Sequence, residues 1–221
     1  EAMKIATIDK DNRVGDPRFY DVPMDELTSK EYAAHMAEKI KRGEKADVAR
    51  LNNGGQESKN TTQVTVTDEH GNCATMTHTL GQPSGVVTDG LGFMYNGAMT
   101  VFDPRPGRSG SLAPGKARFT AVSPTIVFKD DKPFLVLGAP GATYITMGNL
   151  QVMLNVLDFD MNAQEAVLAP RIAATSNNIE ISNRILRSAE RDLRAQGYPV
   201  VRHPVSYTFA SAIGMNTVAV A

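Results

Sequence analysis

Asn60-Thr61-Thr62-Gln63-Val64-Thr65-Val66-Thr67 runs through Asp68-Glu69-His70-Gly71-Asn72 into Cys73-Ala74-Thr75-Met76-Thr77-His78-Thr79-Leu80. Val64 and Val66 alternate with Thr65 and Thr67, the period of a half-buried strand. The Asp/Gly/Asn cluster supplies a turn and Cys73 to Leu80 reads as the returning strand, so the stretch predicts a β-hairpin. Upstream, Ala46 to Asn60 is polar and rich in Asn and Gly, which predicts a mobile loop. The chain changes character at Thr61, from loop to strand.

Around that hairpin the elements are ordered. Ser29 can cap a helix running to about Arg42, with Tyr32, Ala33, Met36 and Ile40 at helical spacing and Gly43 as its stop. Gly81 to Gly92 and Asp103 to Gly115 read as glycine- and proline-rich connections. Pro124 to Phe128 and Pro133 to Leu137 flank Lys129-Asp130-Asp131-Lys132 as a second hairpin, which leads into Gly138-Ala139-Pro140-Gly141-Ala142. Thr143 opens a helix to about Leu157, with Ile145, Asn149, Val152, Met153 and Val156 near one face. Asn162 with Glu165 forms a capping-box pattern for a short helix ending near Pro170. Ser182 is expected to cap another helix, through Ile185, Leu186, Ala189 and Leu193 to Gly197. Phe209 to Ile213 and Thr217 to Val220 are expected to pair as a terminal hairpin. Strands first and helices after predict layered α+β packing.

Composition narrows the function classes. The 221 residues carry 23 basic and 24 acidic side chains, a net charge of −1, which excludes the overall basic excess of a dedicated nucleic-acid or membrane-surface protein. No apolar run approaches the roughly 18–20 residues of a membrane helix. Cys73, the single cysteine, excludes an internal disulfide framework and a Cys-rich zinc site; mid-strand, it reads as a buried structural thiol. His35, His70, His78 and His203 are scattered without ligand spacing, so no metal site and no cofactor is expected. Neither a P-loop nor a Gly-x-Ser-x-Gly elbow is present. Glu1-Ala2-Met3-Lys4 already reads as the interior of an element and Thr217 to Ala221 as an apolar run, so the sequence reads as part of a longer polypeptide.

Asn60-Thr61-Thr62, Thr77-His78-Thr79, Asp68-x-x-Gly71-Asn72, Ser123-Pro124-Thr125-Ile126-Val127 and Gly138-Ala139-Pro140-Gly141 follow one another in that setting. With Glu1-Ala2-Met3-Lys4, Gly15-Asp16-Pro17 and Ala169-Pro170-Arg171, the chain resembles the γ-glutamyltranspeptidase family over nearly its whole length. The resemblance implies an N-terminal-nucleophile hydrolase, α+β in class, with a four-layer αββα sandwich of which this chain holds only part. It implies a precursor that cuts itself between Asn60 and Thr61. Residues 1–60 would then be the end of the large-subunit region with a mobile linker, and 61–221 the small, catalytic one. The implied partners are a small-molecule amide and the remainder of the large subunit, in a heterodimer from one precursor that can pair as a dimer of heterodimers; neither nucleic acid nor membrane is implied. By resemblance the setting is periplasmic or secreted, while the residues leave the compartment open.

The implied chemistry is economical in residues. A Thr hydroxyl is a poor nucleophile without a base. At a chain terminus the α-amino group of Thr61, with a reference pKa of about 8, can take the hydroxyl proton directly or through one water, and no His–Asp pair is needed. The resemblance places Thr79 as a second hydroxyl that orients Thr61. It places Gly141 and Ala142 at the family's Gly-Gly position, whose backbone N–H groups bind the substrate and the tetrahedral oxyanion. Thr120 is the one residue of the substrate-binding Ser-Ser pair that keeps a hydroxyl.

The pocket departs from the family. Gly81, Ala98, Val101 and Ala121 stand where polar side chains would hold the α-amino and α-carboxylate groups of a γ-glutamyl substrate. Asp103 could stand in for the missing Asp, and Arg105, Arg108 and Arg118 are cations that either bind another acid or solvate a loop. Three functions therefore compete: a γ-glutamyl hydrolase or transferase acting on compounds such as glutathione, an acylase for a different amide as in the cephalosporin-acylase relatives, and a silent homologue with a binding role.

Overall fold

The computed structural model describes residues 1–49, 60–204 and 218–220. They fall into two compact units, Glu1–Asn53 with Ala98–Thr120 and Ala174–Asn178, and Gly54–Gly97 with Ala121–Ala173 and Ile179–Ala221.

The first unit contains α1 (Ala2–Arg13), the single turn α2 (Met24–Leu27) and α3 (Lys30–Lys41). Ser29 caps α3 as expected, its hydroxyl accepting from the Tyr32 N–H. The Tyr32 hydroxyl donates to Asp9 on α1, and burial beside that carboxylate pushes the phenol up to about 12. The Gly15-Asp16-Pro17 segment has a packing reason. A Cβ on Gly15 would overlap the Ser109 carbonyl, and the buried Asp16 carboxylate accepts from Arg18 and from the Ala117 N–H. The head of the expected mobile loop is pinned instead: Ala46 N–H donates to Glu1, Val48 N–H to Asn177, and Val48 is buried. Residues 50–59 of that loop lie outside the described residues.

In the second unit β1 (Thr61–Thr67) and β2 (Cys73–Thr79) form the expected hairpin, in register from Thr61 opposite Thr79 to Thr67 opposite Cys73. The Asp68 carboxylate closes its turn by accepting from His70 and Asn72 N–H groups. An unexpected hairpin follows, with β3 (Pro83–Val87) inside the glycine-rich connection and β4 (Met94–Asn96) just beyond it. Its residues are almost all exposed, so they lack the alternation that marks a half-buried strand.

β5 (Thr125–Lys129) and β6 (Lys132–Gly138) form the second expected hairpin. Beyond a 3₁₀ turn at Ala142–Tyr144 come α4 (Ile145–Leu157) and α5 (Ala163–Leu168), the latter with the full Asn162/Glu165 capping box. Leu135 and Leu137 on β6, Val152 and Val156 on α4, and Ala166 on α5 make the main apolar cluster. Each fully buried Leu contributes about 1.5–3 kcal/mol relative to exposure. By strand alternation Val136 and Gly138 face the opposite side, where the β1–β2 hairpin packs. The result is helix on sheet on sheet, part of an αββα sandwich.

A smaller sheet joins β7 (Ile172–Ala173) antiparallel to β8 (Ile179–Ile181), and β8 parallel to β9 (Val200–Arg202) through α6 (Arg187–Ala195). Here the expectation for Ser182 fails: α6 starts at Arg187, and Ser182 instead begins a turn that Ile185 N–H closes. Arg202 holds that turn out of the helix by donating to the carbonyls of Ser182, Asn183 and Ile185. The strand β10 (Val218–Val220) pairs with β6; its expected hairpin partner, 209–213, lies outside the described residues.

Candidate active site

Thr61 opens β1 and Thr79 closes β2, so hairpin register alone sets them opposite each other. Both are half-buried, and their hydroxyl oxygens are 2.8 Å apart. Gly81 N–H donates to Thr79 Oγ1 at 2.9 Å. One lone pair of Thr79 is thereby occupied and its orientation fixed. The Asn60 carbonyl, belonging to the peptide bond that precedes Thr61, accepts from Leu80 N–H at 3.3 Å. Gly81 thus has a use that its missing side chain conceals: in sequence it reads only as a lost polar group.

Gly141 and Ala142 lie between β6 and the 3₁₀ turn leading into α4. Gly141 has φ 132°, and Ala142 holds φ 50°, a left-handed conformation that an alanine adopts at a cost. Their N–H groups donate to no partner among the described residues. The buried Tyr144 locks the start of α4: its N–H donates to the Gly141 carbonyl at 3.0 Å, and its hydroxyl donates to Glu180, which His203 Nε2 also meets at 3.3 Å. No sequence signal marks this cluster, because Glu180 and His203 come from β8 and the segment after β9.

The remaining candidates lie in the first unit. Thr120 is exposed there. Asp103 and Arg105 form a closed pair, with two hydrogen bonds of 2.7 and 2.8 Å between their side chains, and Arg108 stands 3.8 Å from the same carboxylate. These bonds hold Asp103 down at about 2. Arg105 is therefore no spare cation, and Asp103 already has its counter-charge. Arg118 donates to the Phe119 carbonyl. Ala98 and Val101 sit at the two ends of a single 3₁₀ turn.

Cys73 is half-buried, not buried, with Thr67 Oγ1 and the Gly71 carbonyl each 3.6 Å from its sulfur. Among the described residues no group of three or more His, Cys, Asp or Glu side chains is placed to hold a metal ion. Among them, too, no helix is long and apolar enough to cross a membrane.

The helix–sheet–sheet layering is that of the N-terminal-nucleophile hydrolases, the αββα class. Within that class the chain matches the family model for Gamma-glutamyltranspeptidase over residues 1–220, and it belongs to that family. It is 39% identical over 221 residues to the acylase ACY 1 proenzyme of Pseudomonas sp. (strain V22), covering 99% of this chain and 38% of that protein. It is 35% identical over 199 residues to the glutathione hydrolase proenzyme of Pseudomonas sp. (strain A14), covering 81% of this chain and 34% of that protein. Among solved structures, cephalosporin acylase from Bacillus halodurans is similar with a TM-score of 0.77 and 25% identity, over 93% of this chain and 37% of that one. The chain spans little more than a third of the length of these relatives.

Proposed function

We propose that this chain is the catalytic part of an N-terminal-threonine amidohydrolase that cuts itself before Thr61 and then forms an acyl-enzyme on Thr61. Residues 1–60 would end the large subunit and 61–221 form the small one, the rest of the large subunit coming from the same precursor. The observation that carries the reading is the 2.8 Å contact between the Thr61 and Thr79 hydroxyls at the start of β1.

In the precursor the Thr61 hydroxyl attacks the Asn60 carbonyl carbon, and the peptide bond passes to an ester that water cleaves, freeing the Thr61 amine. The Leu80 N–H, already on the Asn60 carbonyl oxygen, polarises that carbonyl. In the mature enzyme the amine, neutral in substantial fraction near its reference pKa of about 8, accepts the hydroxyl proton as Oγ1 attacks the substrate amide. Thr79 donates to Thr61 Oγ1 and fixes its direction, leaving the Thr61 proton free to move to the amine. The N–H groups of Gly141 and Ala142 donate to the oxyanion. The ammonium returns its proton to the leaving nitrogen as the C–N bond breaks, and water then hydrolyses the acyl ester.

The acyl group divides two readings. An acylase acting on an amide other than γ-glutamyl is supported by the ACY 1 proenzyme similarity along the whole chain. Gly81, Ala98, Val101 and Ala121 also offer no polar side chains to α-amino and α-carboxylate groups. A γ-glutamyl hydrolase, the second reading, is supported by the glutathione hydrolase proenzyme similarity. The general reading is tested by intact-mass analysis of the full-length protein and its Thr61→Ala variant. Wild type is expected to give two fragments, split between Asn60 and Thr61, and a mass increase on the small one when an amide is added; Thr61→Ala should stay whole. Cleavage of the variant at the same bond would refute the proposal.

A further inference from the structure

We propose that Gln63 is a positioning residue, whose side-chain amide sets the separation between the strand carrying Thr61 and the turn at Gly141–Ala142 by wedging against Gly138. This rests on the function proposed above and assigns one more residue to it. The inward face of the β1–β2 hairpin is polar over the three pairs nearest the site: Thr61, Gln63 and Thr65 lie opposite Thr79, Thr77 and Thr75. The outward face carries Val64, Val66 and Met76, all exposed. A face packed on a neighbouring sheet is ordinarily the apolar one, so this inward face is selected for something other than burial. Slipping the register by one residue would bury the valines and expel Thr61 together with Gln63.

Gln63 is clamped from its own hairpin. Its Oε1 accepts from Thr77 Oγ1, and its Nε2 donates to Thr75 Oγ1 at 2.7 Å and to the Val64 carbonyl at 3.0 Å. Only an NH₂ group can serve a carbonyl, so the amide has one orientation. Thr75 in turn donates to the Leu137 carbonyl on β6 at 3.3 Å. Held this way, the amide meets Gly138 directly. A Cβ on Gly138 would overlap Oε1, Cδ and Nε2 of Gln63 at once.

Gly138 has no positive φ, so conformational freedom does not account for it; close approach by Gln63 does. From Gly138 the chain reaches Gly141 through Ala139, which is 0% exposed, and Pro140, whose φ is fixed by its ring. A displacement at Gly138 is therefore passed to the turn rather than absorbed. At its other end Gln63 is two residues from Thr61, on the same face of the same strand. The amide thus spans the two halves of the reaction: the hydroxyl that attacks and the N–H groups that receive the oxyanion. Misplacement of a reacting group by about 1 Å costs on the order of a hundredfold in rate.

The test uses the full-length protein with Gln63→Ala, Gly138→Ala, the double variant and Thr61→Ala. It reads self-cleavage rate, kcat and KM on an aryl amide that wild type turns over, and melting temperature. Gln63→Ala and Gly138→Ala are each expected to lower kcat and self-cleavage at least tenfold while KM changes less than about threefold. The double variant should recover activity relative to Gly138→Ala, because the overlap with the amide is gone. Gln63→Glu keeps the amide's shape and its acceptor for Thr77 but loses both Nε2 donations. It is expected to fall between wild type and Gln63→Ala, which covers the case in which Gln63→Ala does not fold. Wild-type kcat in Gln63→Ala or in Gly138→Ala, a double variant no better than Gly138→Ala, or losses confined to melting temperature would overturn the positioning role. Should Thr61→Ala be inert while the other variants behave as wild type, only this inference falls; a cleaved and active Thr61→Ala removes the functional reading and this inference with it.

Discussion

Thr61 and Thr79 are cross-strand partners in a seven-residue ladder, and their hydroxyl oxygens lie 2.8 Å apart, so the contact is a property of the hairpin register. Every residue between Thr61 and Thr67 is paired with a residue of β2, and Asp68 fixes the turn by accepting from two N–H groups. A side-chain pair held by a register of this length cannot drift without every pair below it moving.

The first prediction concerns that pair. Thr79→Ala removes the hydroxyl and leaves Gly81 N–H without its acceptor; the expected loss in kcat/KM is about five- to tenfold, from one hydrogen bond of about 1–1.5 kcal/mol. Self-cleavage should slow with it. Thr79→Ser keeps both hydrogen bonds and should retain most of each rate. Steady-state kinetics on fully cleaved samples decide the point, and equal rates in Thr79→Ala and wild type would remove Thr79 from the mechanism.

A second prediction follows from the backbone. Ala142 at φ 50° stands in a region that costs an L-residue roughly 1–2 kcal/mol. Glycine would lift that cost and add about 0.5–1 kcal/mol of unfolded-chain entropy. Ala142→Gly should therefore leave the protein as stable or up to about 1.5 kcal/mol more stable, whereas Gly141→Ala, at φ 132°, should destabilise it. Denaturant titration of the two variants side by side checks the order; a clearly less stable Ala142→Gly would contradict the assigned conformation.

Acid sensitivity is the third. Glu190 accepts from Arg202 at 2.6 Å and from Arg194 at 3.0 Å, and these bonds hold it down from 4.5 to about 2. A folded value below the unfolded one means that the unfolded chain binds the proton first. The stabilisation is complete above the ordinary carboxylate range and is lost as pH falls from there toward 2. Glu190→Gln should melt below wild type at pH 7, and the gap should close as pH falls to 3 and below. A melting-temperature difference that stays constant from pH 7 to 3 would assign the effect to shape and not to charge.

These elements differ in how visible they are from sequence, and the difference is physical. The β1–β2 and β5–β6 hairpins and the helices α3, α4 and α5 are written in local terms: alternation, turn residues, a Ser cap and a capping box. β3 and β4 are hidden because both faces are exposed, so no periodicity marks them; Ser84, whose hydroxyl donates to the Tyr95 carbonyl, helps tie them together. The start of α6 is hidden because Arg202, 17 to 20 residues away in sequence, takes the carbonyls of the turn at Ser182. At the candidate site, the contact between Thr61 and Thr79 is legible from the motifs that carry the family resemblance. The backbone donors of Leu80 and Gly81 are not, since a main-chain N–H has no residue type to betray it.

The last prediction separates the two acyl groups. A γ-glutamyl substrate presents an α-ammonium and an α-carboxylate, each needing a charge-assisted hydrogen bond worth about 1.5–3 kcal/mol. Gly81, Ala98, Val101 and Ala121 have no polar side-chain atom to give, and the carboxylate of Asp103 is already taken by Arg105. The groups proposed for acylation, by contrast, are all present: the Thr61 and Thr79 hydroxyls and the N–H groups of Gly141 and Ala142, which donate to no partner among the described residues. A substrate whose α-groups are not held loses attack geometry as well as affinity, so kcat and KM should both suffer. An acyl group without the α-ammonium, such as glutaryl, or a simple apolar one, should suffer less. The measurement is kcat/KM for γ-glutamyl, glutaryl and simple acyl anilides with the cleaved full-length enzyme. The expected result is that the glutaryl or simple acyl substrate equals or exceeds the γ-glutamyl one. A γ-glutamyl preference of a hundredfold or more, about 2.7 kcal/mol in transition-state binding, would instead establish the γ-glutamyl reading and show that other residues of the full-length protein hold the α-groups.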